Sequence, residues 1–414
     1  MTAVCHGCVE DSYLKSIIAE KGKRAQCSVC HGARQRVFTV KEIGRLLEPV
    51  MRQHFAHGDD IRRFGDDDEE WYEQEGEAMS SIVQQVLGQY FDFEDEIVDA
   101  VCEAEDVWPP DGDEAYWDPT TNYIVQEIFE NQYHAEWLST LHELKHNRRF
   151  FSPSAKALFT KLFGGVEDLR VRSVGKPLLV ARQLRPGSKL FRARISPSRA
   201  ALNDFYNDPF QHVGPPPAHL AKAGRMNADG VVVFYGALEE NTCLAEMRPA
   251  LGNELVLITV SAERSLRVLD FTRLDQARSG KTLSYFQPDF IEEIKKRTFL
   301  RKLHRLISQP VVPGHEADYL ITQTMTEFLA HVHEPPFDGV LFASAQRAEG
   351  TNVVLFPKPG TLDESSAQAF GISYVDGTTK LVKTATINYS HNEQTVTILD
   401  DGAVRVADYE DDEW

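Results

Sequence analysis

Four cysteines close together at one end constrain this chain more than any other feature. Cys5 and Cys8, then Cys27 and Cys30, form two C-x2-C pairs separated by 18 residues. Each pair forms a knuckle, and four thiolates complete the tetrahedral shell that zinc prefers. No ligand position is left open, so the spacing predicts a structural zinc ribbon over residues 1–37, not a catalytic metal. In so small a unit the metal supplies most of the folding free energy, on the order of 10–16 kcal/mol in zinc-finger peptides. Two pairs at this spacing also argue for reduced thiols and against disulfides, as in a cytoplasmic protein.

Charge narrows the choice of partners. Between Asp59 and Asp118 there are 22 acidic residues and two arginines, so that segment holds essentially all of the net charge of −19. It reads as a solvated acidic surface, or as a docking surface for a basic partner. Such a field repels phosphate backbones and argues against a broad nucleic-acid binder. The chain has no apolar run of about 18 residues, so no membrane span is expected. Its opening "MTAVCHGCVEDSYLK" lacks the apolar stretch of a signal peptide, which again predicts the cytoplasm.

The texture of the chain changes twice. Residues 38–164 read as a mostly helical domain. "TVKEIGRLLEPVMRQHF" opens with a capping-box pattern, Thr39 to Glu42, and carries apolar residues at helical spacing. "EAMSSIVQQVLGQYF", "FEDEIVDAVCEAE" and "HAEWLSTLHELKHNRRFF" continue it. Residues 165–390 bring short apolar runs ("KLFRARI", "VVVFY", "ELVLITV", "GVLFAS", "NVVLF") that read as strands. Two amphipathic helices, "FIEEIKKRTFLRKLHRLIS" and "EADYLITQTMTEFLAHVH", interrupt them. The expectation is an α+β chain whose second part is a mixed, mainly antiparallel sheet with helices. Residues 391–414 suggest a hairpin and an acidic tail.

The chemistry-bearing residues lie in the second part. In "KLFRARIS" alternation sets Arg192 and Arg194 on one strand face, as a cleft wall for anionic oxygens or as a solvated sheet face. Arg225 precedes the strand that ends in Tyr235. On the following helix Glu246 lies about 60° from Cys243, at the edge of an apolar arc. That is a half-buried carboxylate, either an ion-pair partner or a site residue. "DGVLFAS" ends at Ser344, where a small hydroxyl at a strand end can face a cleft.

These residues resemble the RES family, named for its Arg, Glu and Ser. The resemblance covers about residues 175–390 through "LFRAR", "GRMN", "VVVFYGALEENTCLAE", "ADYLITQTMTEFL" and "FDGVLFASAQRAEGTNVVLFP", in the family's order. It places the family's arginine on Arg225, its glutamate on Glu246 and its serine on Ser344. A further arginine falls on Arg192 and the tyrosine on Tyr235. Where the family often has an aromatic after "GR", this chain has Met226. The resemblance implies an ADP-ribosyltransferase-like fold and consumption of NAD by hydrolysis or phosphorolysis of the nicotinamide–ribose bond, or by ADP-ribose transfer to a protein. Many members are bacterial toxins restrained by an antitoxin, so a protein inhibitor or activator is expected. The helical part reads as a regulatory or dimerising module, so a homo-oligomer, a dimer, is expected as well. The implied roles are pyrophosphate binding by Arg192 and Arg225, ring stacking by Tyr235, charge stabilisation by Glu246 and a hydrogen bond from Ser344.

The first part resembles the zinc-ribbon and HEPN-type domains found before some RES domains. "RQHFAH", Arg52 to His57, has the Arg-x4-His spacing of HEPN ribonucleases but lies on the first long helix, away from the usual place, and reads as coincidence. The competing functions are a nucleotide sensor and a HEPN-type RNA-binding protein or ribonuclease.

Overall fold

The computed structural model describes residues 2–64, 70–105, 115–126, 131–173, 176–274, 276–279, 283–308, 316–358, 360, 366–387, 396–398 and 404–406. The chain divides into two compact units, Met1–Arg182 with Asp270–Phe328, and Gln183–Leu269 with Leu329–Trp414. Together they hold 11 α-helices and several sheets among the described residues.

In the first unit, strand Gln35–Thr39 pairs on one side with Ala3–Cys5 and on the other with Lys23–Ala25. Helix α1 (Ser12–Lys21) starts where the Asp11 carboxylate accepts from the Tyr13 and Leu14 amides, satisfying N–H groups that a helix start leaves orphaned. Helix α2 (Val40–His54) opens with the expected capping box between Thr39 and Glu42. Its apolar face, Ile43, Leu47 and Met51, packs in one core with side chains of α3 (Met79–Leu87) and α4 (Glu94–Ala104). Val4, Val9, Leu14 and Ile18 from the cysteine-bearing segment belong to that same core. Gly44 sits where α2 meets α4: a Cβ there would stand 2.5 Å from the Ala100 carbonyl. Helices α5 (Asn131–His146), α6 (Pro153–Phe163) and α10 (Phe290–Ser308) also belong to this unit, joined by ring contacts of Trp137 with Phe159 and Phe299.

Residues 38–164 are less purely helical than their sequence suggests. Asn122–Val125 pairs with Phe55–His57 and with Glu77–Ala78, and Asp60–Phe64 pairs with Glu70–Gln74. The second hairpin lies inside the acidic segment. Its two arginines meet carboxylates across the strands, Arg62 with Glu70 and Arg63 with Glu73. Such diagonal pairs stabilise strand pairing. Net charge alone hides them, because the neutralising partners are few and placed by register.

The second unit is built on a nine-stranded sheet. Its strands are β1 (Ala181–Leu184), β2 (Lys189–Ile195), β3 (Phe234–Ala237), β4 (Glu254–Ala262), β5 (Leu266–Asp270), β6 (Gly339–Ala343), β7 (Thr351–Leu355), β8 (Ile372–Tyr374) and β9 (Lys380–Lys383). The order is β1-β5-β6-β7-β3-β2-β4-β8, with β9 also on β4. The pairs β2–β3, β2–β4, β3–β7, β6–β7, β4–β8 and β4–β9 are antiparallel. Alternation divides the side chains between two cores. Leu190, Val256, Ile258 and Phe234 join Phe205 of α7 (Leu202–Asn207) and Val213 of α8 (Pro209–Val213). Ala193, Ala237 and Leu257 join Cys243 of α9 (Glu240–Glu246). Full burial of a Val, Leu, Ile or Phe side chain among these contributes roughly 1.5–3 kcal/mol, and the alanines less. Helix α11 (Leu320–His331) leads into β6. Strands Val396–Ile398 and Val404–Val406 pair antiparallel, and the final acidic residues lie outside the described residues.

Candidate functional site

Two groups of side chains stand out, one in each unit. In the first, the sulfur atoms of Cys5, Cys8, Cys27 and Cys30 all lie within 4.8 Å of one another. Cys5 stands 3.6 Å from Cys8 and 3.7 Å from Cys30, and Cys8 stands 3.9 Å from Cys27. A tetrahedral shell at a zinc–sulfur distance of about 2.3 Å separates its sulfurs by about 3.8 Å. The thiols fit one metal ion. Burial pushes the Cys27 thiol up, yet main-chain N–H groups of Cys30, Cys5 and Val29 outweigh it and bring the pKa down to about 6. Those donors favour a thiolate at the metal position.

The second group surrounds a cavity of about 190 Å³ lined by Arg192, Arg225, Tyr235, Glu246, Phe342 and Asn352, among others. Glu246 is the last residue of α9 and is half-buried. Its Oε1 accepts from the Ser344 hydroxyl at 2.6 Å and from the Asn352 amide at 2.7 Å. Its Oε2 has no partner among the described residues. Ser344 follows β6, and its oxygen also accepts from the Gln346 and Arg347 amides at 3.1 and 3.2 Å. The hydroxyl proton is therefore committed to the carboxylate.

The start of α9 is tied to the same loop. Thr242 donates to Glu239 at 2.8 Å and accepts from Arg347 at 3.0 Å, while the Thr351 amide donates to Glu239 at 2.9 Å. A Cβ at Gly350 would come 2.6 Å from the Thr242 hydroxyl, so this close packing needs glycine there. Cys243 is buried beside Arg192, and burial pushes its thiol up to about 12. It is a core residue and not a nucleophile.

Arg225 enters from a tight loop. The Gly224 amide donates to the Asn227 carbonyl at 2.9 Å, and a Cβ on Gly224 would stand 2.8 Å from the Asn227 side-chain oxygen. The Tyr235 hydroxyl donates to that same oxygen at 2.9 Å and accepts from the Met226 amide at 3.0 Å. Asn227 donates onward to the carbonyls of Lys222, Ala228 and Val231. The four residues of "GRMN" thus divide the work among them. Gly224 permits close approach, Arg225 brings charge to the cavity, Met226 is a buried anchor (1% exposed) and Asn227 is a clamp. The Arg225 guanidinium lies 5.8 Å from the Phe342 ring centre.

Arg192 and Arg194 do lie on one face, as alternation requires, but that face meets the C-terminal end of α8. Arg192 donates to the carbonyls of Val213, at 2.7 Å, and Tyr235, and Arg194 donates to that of Gly214 at 3.1 Å. Helix ends leave such carbonyls without partners, and cations there are favoured. Burial, with Arg194 nearby, lowers the Arg192 pKa only to about 10, so it stays charged near neutral pH. Arg192 is also one of the residues that line the cavity. The structure brings Arg192, Arg225, Tyr235 and Glu246 to one cavity, with Ser344 behind the carboxylate.

Sequence reasoning missed Asn352 and Asn227. Asn352 stands in β7 between apolar neighbours and is 8% exposed, an unusual place for a residue disfavoured in strands. That misfit was the available signal. In the first unit Arg52 is paired with Glu48 and Glu105, at 2.6 and 2.7 Å. His57 bonds the Tyr116 carbonyl at 2.7 Å and stacks on the Tyr116 ring. Both serve local structure.

No helix among the described residues is long and apolar enough to cross a membrane. No curated protein matches this chain, and no solved structure does. Residues 189–374, which carry every side chain lining the cavity, match the RES domain family.

Proposed function

We propose that the second unit consumes NAD by cleaving its nicotinamide–ribose bond. The observation that carries this reading is the half-fixed carboxylate of Glu246, with one oxygen held by Ser344 and Asn352 and the other open, in a cavity that also receives Arg225. Breaking the C–N bond of NAD develops positive charge on the ribose while nicotinamide leaves as a neutral ring. The leaving group needs no proton, so the acid–base carboxylate pair of glycosidases is not required. One preorganised carboxylate that accepts from the ribose hydroxyls and faces the developing charge is enough.

Arg225, with Arg192 beside it, would bind pyrophosphate oxygens, and the Tyr235 ring forms part of the wall. The cavity is small for a whole dinucleotide and suits the nicotinamide–ribose end. A structural zinc on Cys5, Cys8, Cys27 and Cys30 holds the first unit, which would serve regulation or association. Unchecked NAD loss harms the cell that makes such an enzyme, which supports a protein inhibitor as partner and a toxin-like role. The test is incubation of the purified chain with NAD, with and without phosphate, and identification of products. Released nicotinamide supports the reading, with ADP-ribose, a phosphorylated ADP-ribose or modified protein identifying the acceptor. Intact NAD, under conditions where the chain binds it, would overturn it.

A further inference from the structure

Five residues at the end of α5 read His142-Glu143-Leu144-Lys145-His146. Residues four apart stand one turn above each other on one helix face. The two imidazole ring centres lie 4.7 Å apart with their planes tilted by 48°. An imidazole nitrogen bound at about 2.0–2.1 Å sets its ring centre about 3.2 Å from a metal. Two rings at adjacent positions of an octahedral or tetrahedral shell then stand about 4.5–5.2 Å apart. The observed separation falls inside that window.

Both histidines are exposed, and a cavity of about 440 Å³ opens beside His142, with Ser139, Glu143, Asn147 and Arg148 in its wall. Leu144, between the histidines in sequence, is 1% exposed and fixes the helix against its core. The Lys145 ammonium is taken up by Asp318. His146 lies in the last helical turn, where the backbone dipole favours positive charge. Arg148 opposes an added cation, so the expected affinity is that of two imidazoles and no more.

The order His-Glu-x-x-His is the one in which zinc hydrolases carry two ligands and a catalytic glutamate. Here Glu143 is occupied. One of its oxygens accepts from Ser152 at 3.0 Å and the other from Ser154. Both of its oxygens are thus taken up by hydroxyls of the next helix start. Ser152 is itself the cap of α6, so the glutamate is part of a helix junction.

We propose that His142 and His146 form a second metal site, for a divalent transition ion of the zinc, nickel or copper class, with water in the remaining positions and Glu143 held off the metal. Imidazole suits these ions, whereas magnesium and calcium require oxygen ligands. The ion would bridge the last turn of α5 without hydrolytic chemistry.

The probe is Ni²⁺, titrated by calorimetry into the full, tag-free chain, with nickel and resident metal counted separately by elemental analysis. One equivalent of nickel is expected for the parent and none for the double variant His142→Ala/His146→Ala. Each single variant should weaken binding at least about tenfold. Glu143→Gln should keep the stoichiometry. Equal nickel uptake by parent and double variant would overturn the site, as would loss of the equivalent in Glu143→Gln. Both histidines are exposed, and circular dichroism checks that the variants fold.

Discussion

The cysteine cluster draws its four ligands from residues 5 to 30, whereas the cavity of the second unit gathers side chains from residues 192 to 352. The first arrangement is local: two short knuckles place four thiols that could hold one ion, and the free energy of binding it would be folding free energy. The second depends on strand register. Ala237 of β3 stands opposite Asn352 of β7, and Thr351 stands opposite Ala343, the residue before Ser344. A slip of one residue in that ladder would turn Asn352 to the other face and strip Glu246 of a partner. A metal site of this kind tolerates change far from it and fails all at once when a ligand is lost. A carboxylate site assembled by register has many weak dependencies and fails by degrees.

The largest expected effect attacks the local site. Cys27→Ser, or removal of the metal by a strong chelator, should cost the first unit several kcal/mol, up to on the order of 10 kcal/mol. Amide exchange should show protection lost in the three-stranded sheet and in α2 to α4, and kept in β2, β4 and β7. Equal loss of protection in both units would erase the contrast drawn above.

Next is Glu246→Gln, which keeps size and much of the hydrogen bonding but removes the charge. If the carboxylate faces the ribose cation, the loss belongs to the transition state. Turnover of NAD should fall about 10²–10³-fold, with NAD affinity and melting temperature close to the parent's. Undiminished turnover in a folded variant would remove Glu246 from the chemistry.

Asn352→Leu tests dependence on register. Hydrogen bonds to charged groups are worth about 1.5–3 kcal/mol, so kcat should drop at least about tenfold with KM little changed. A rise in KM alone would assign Asn352 to substrate binding. The smallest effect is expected for Tyr235→Phe. It loses the hydroxyl that clamps the Arg225 loop, at about 1 kcal/mol, and should raise KM about fivefold while sparing kcat. A fall in kcat with KM unchanged would put the tyrosine at the reacting atoms.

How far these sites were legible follows the same contrast. Cys5, Cys8, Cys27 and Cys30 could be read from spacing, because ligand geometry is short-range. The Thr39–Glu42 cap and the helix of residues 290–308 could be read from local pattern. Glu246, Arg225 and Ser344 were suggested by residue type and family resemblance, whereas their bonding was not. Ser344 bonds the carboxylate, and the Tyr235 hydroxyl turns to Asn227. Alternation placed Arg192 and Arg194 correctly on one face. What that face meets, the carbonyl end of α8, is a long-range fact that no local pattern encodes. The strands within residues 55–125 escaped because their pairing partners lie up to 70 residues apart, Phe55 opposite Val125.

The side chains of Val4, Val9, Leu14 and Ile18 lie in the same core as α2, so there is no seam along which the cysteine-bearing segment can come away cleanly. Loss of an ion bound by the four cysteines would therefore do more than loosen two knuckles. It would uncover Leu47 and Met51, which the intact unit hides completely, and exposed apolar chain of this sort is what cellular proteases and chaperones capture. In a metal-starved cell the amount of this protein, and with it whatever the second unit does, would fall by degradation before any catalytic residue had changed.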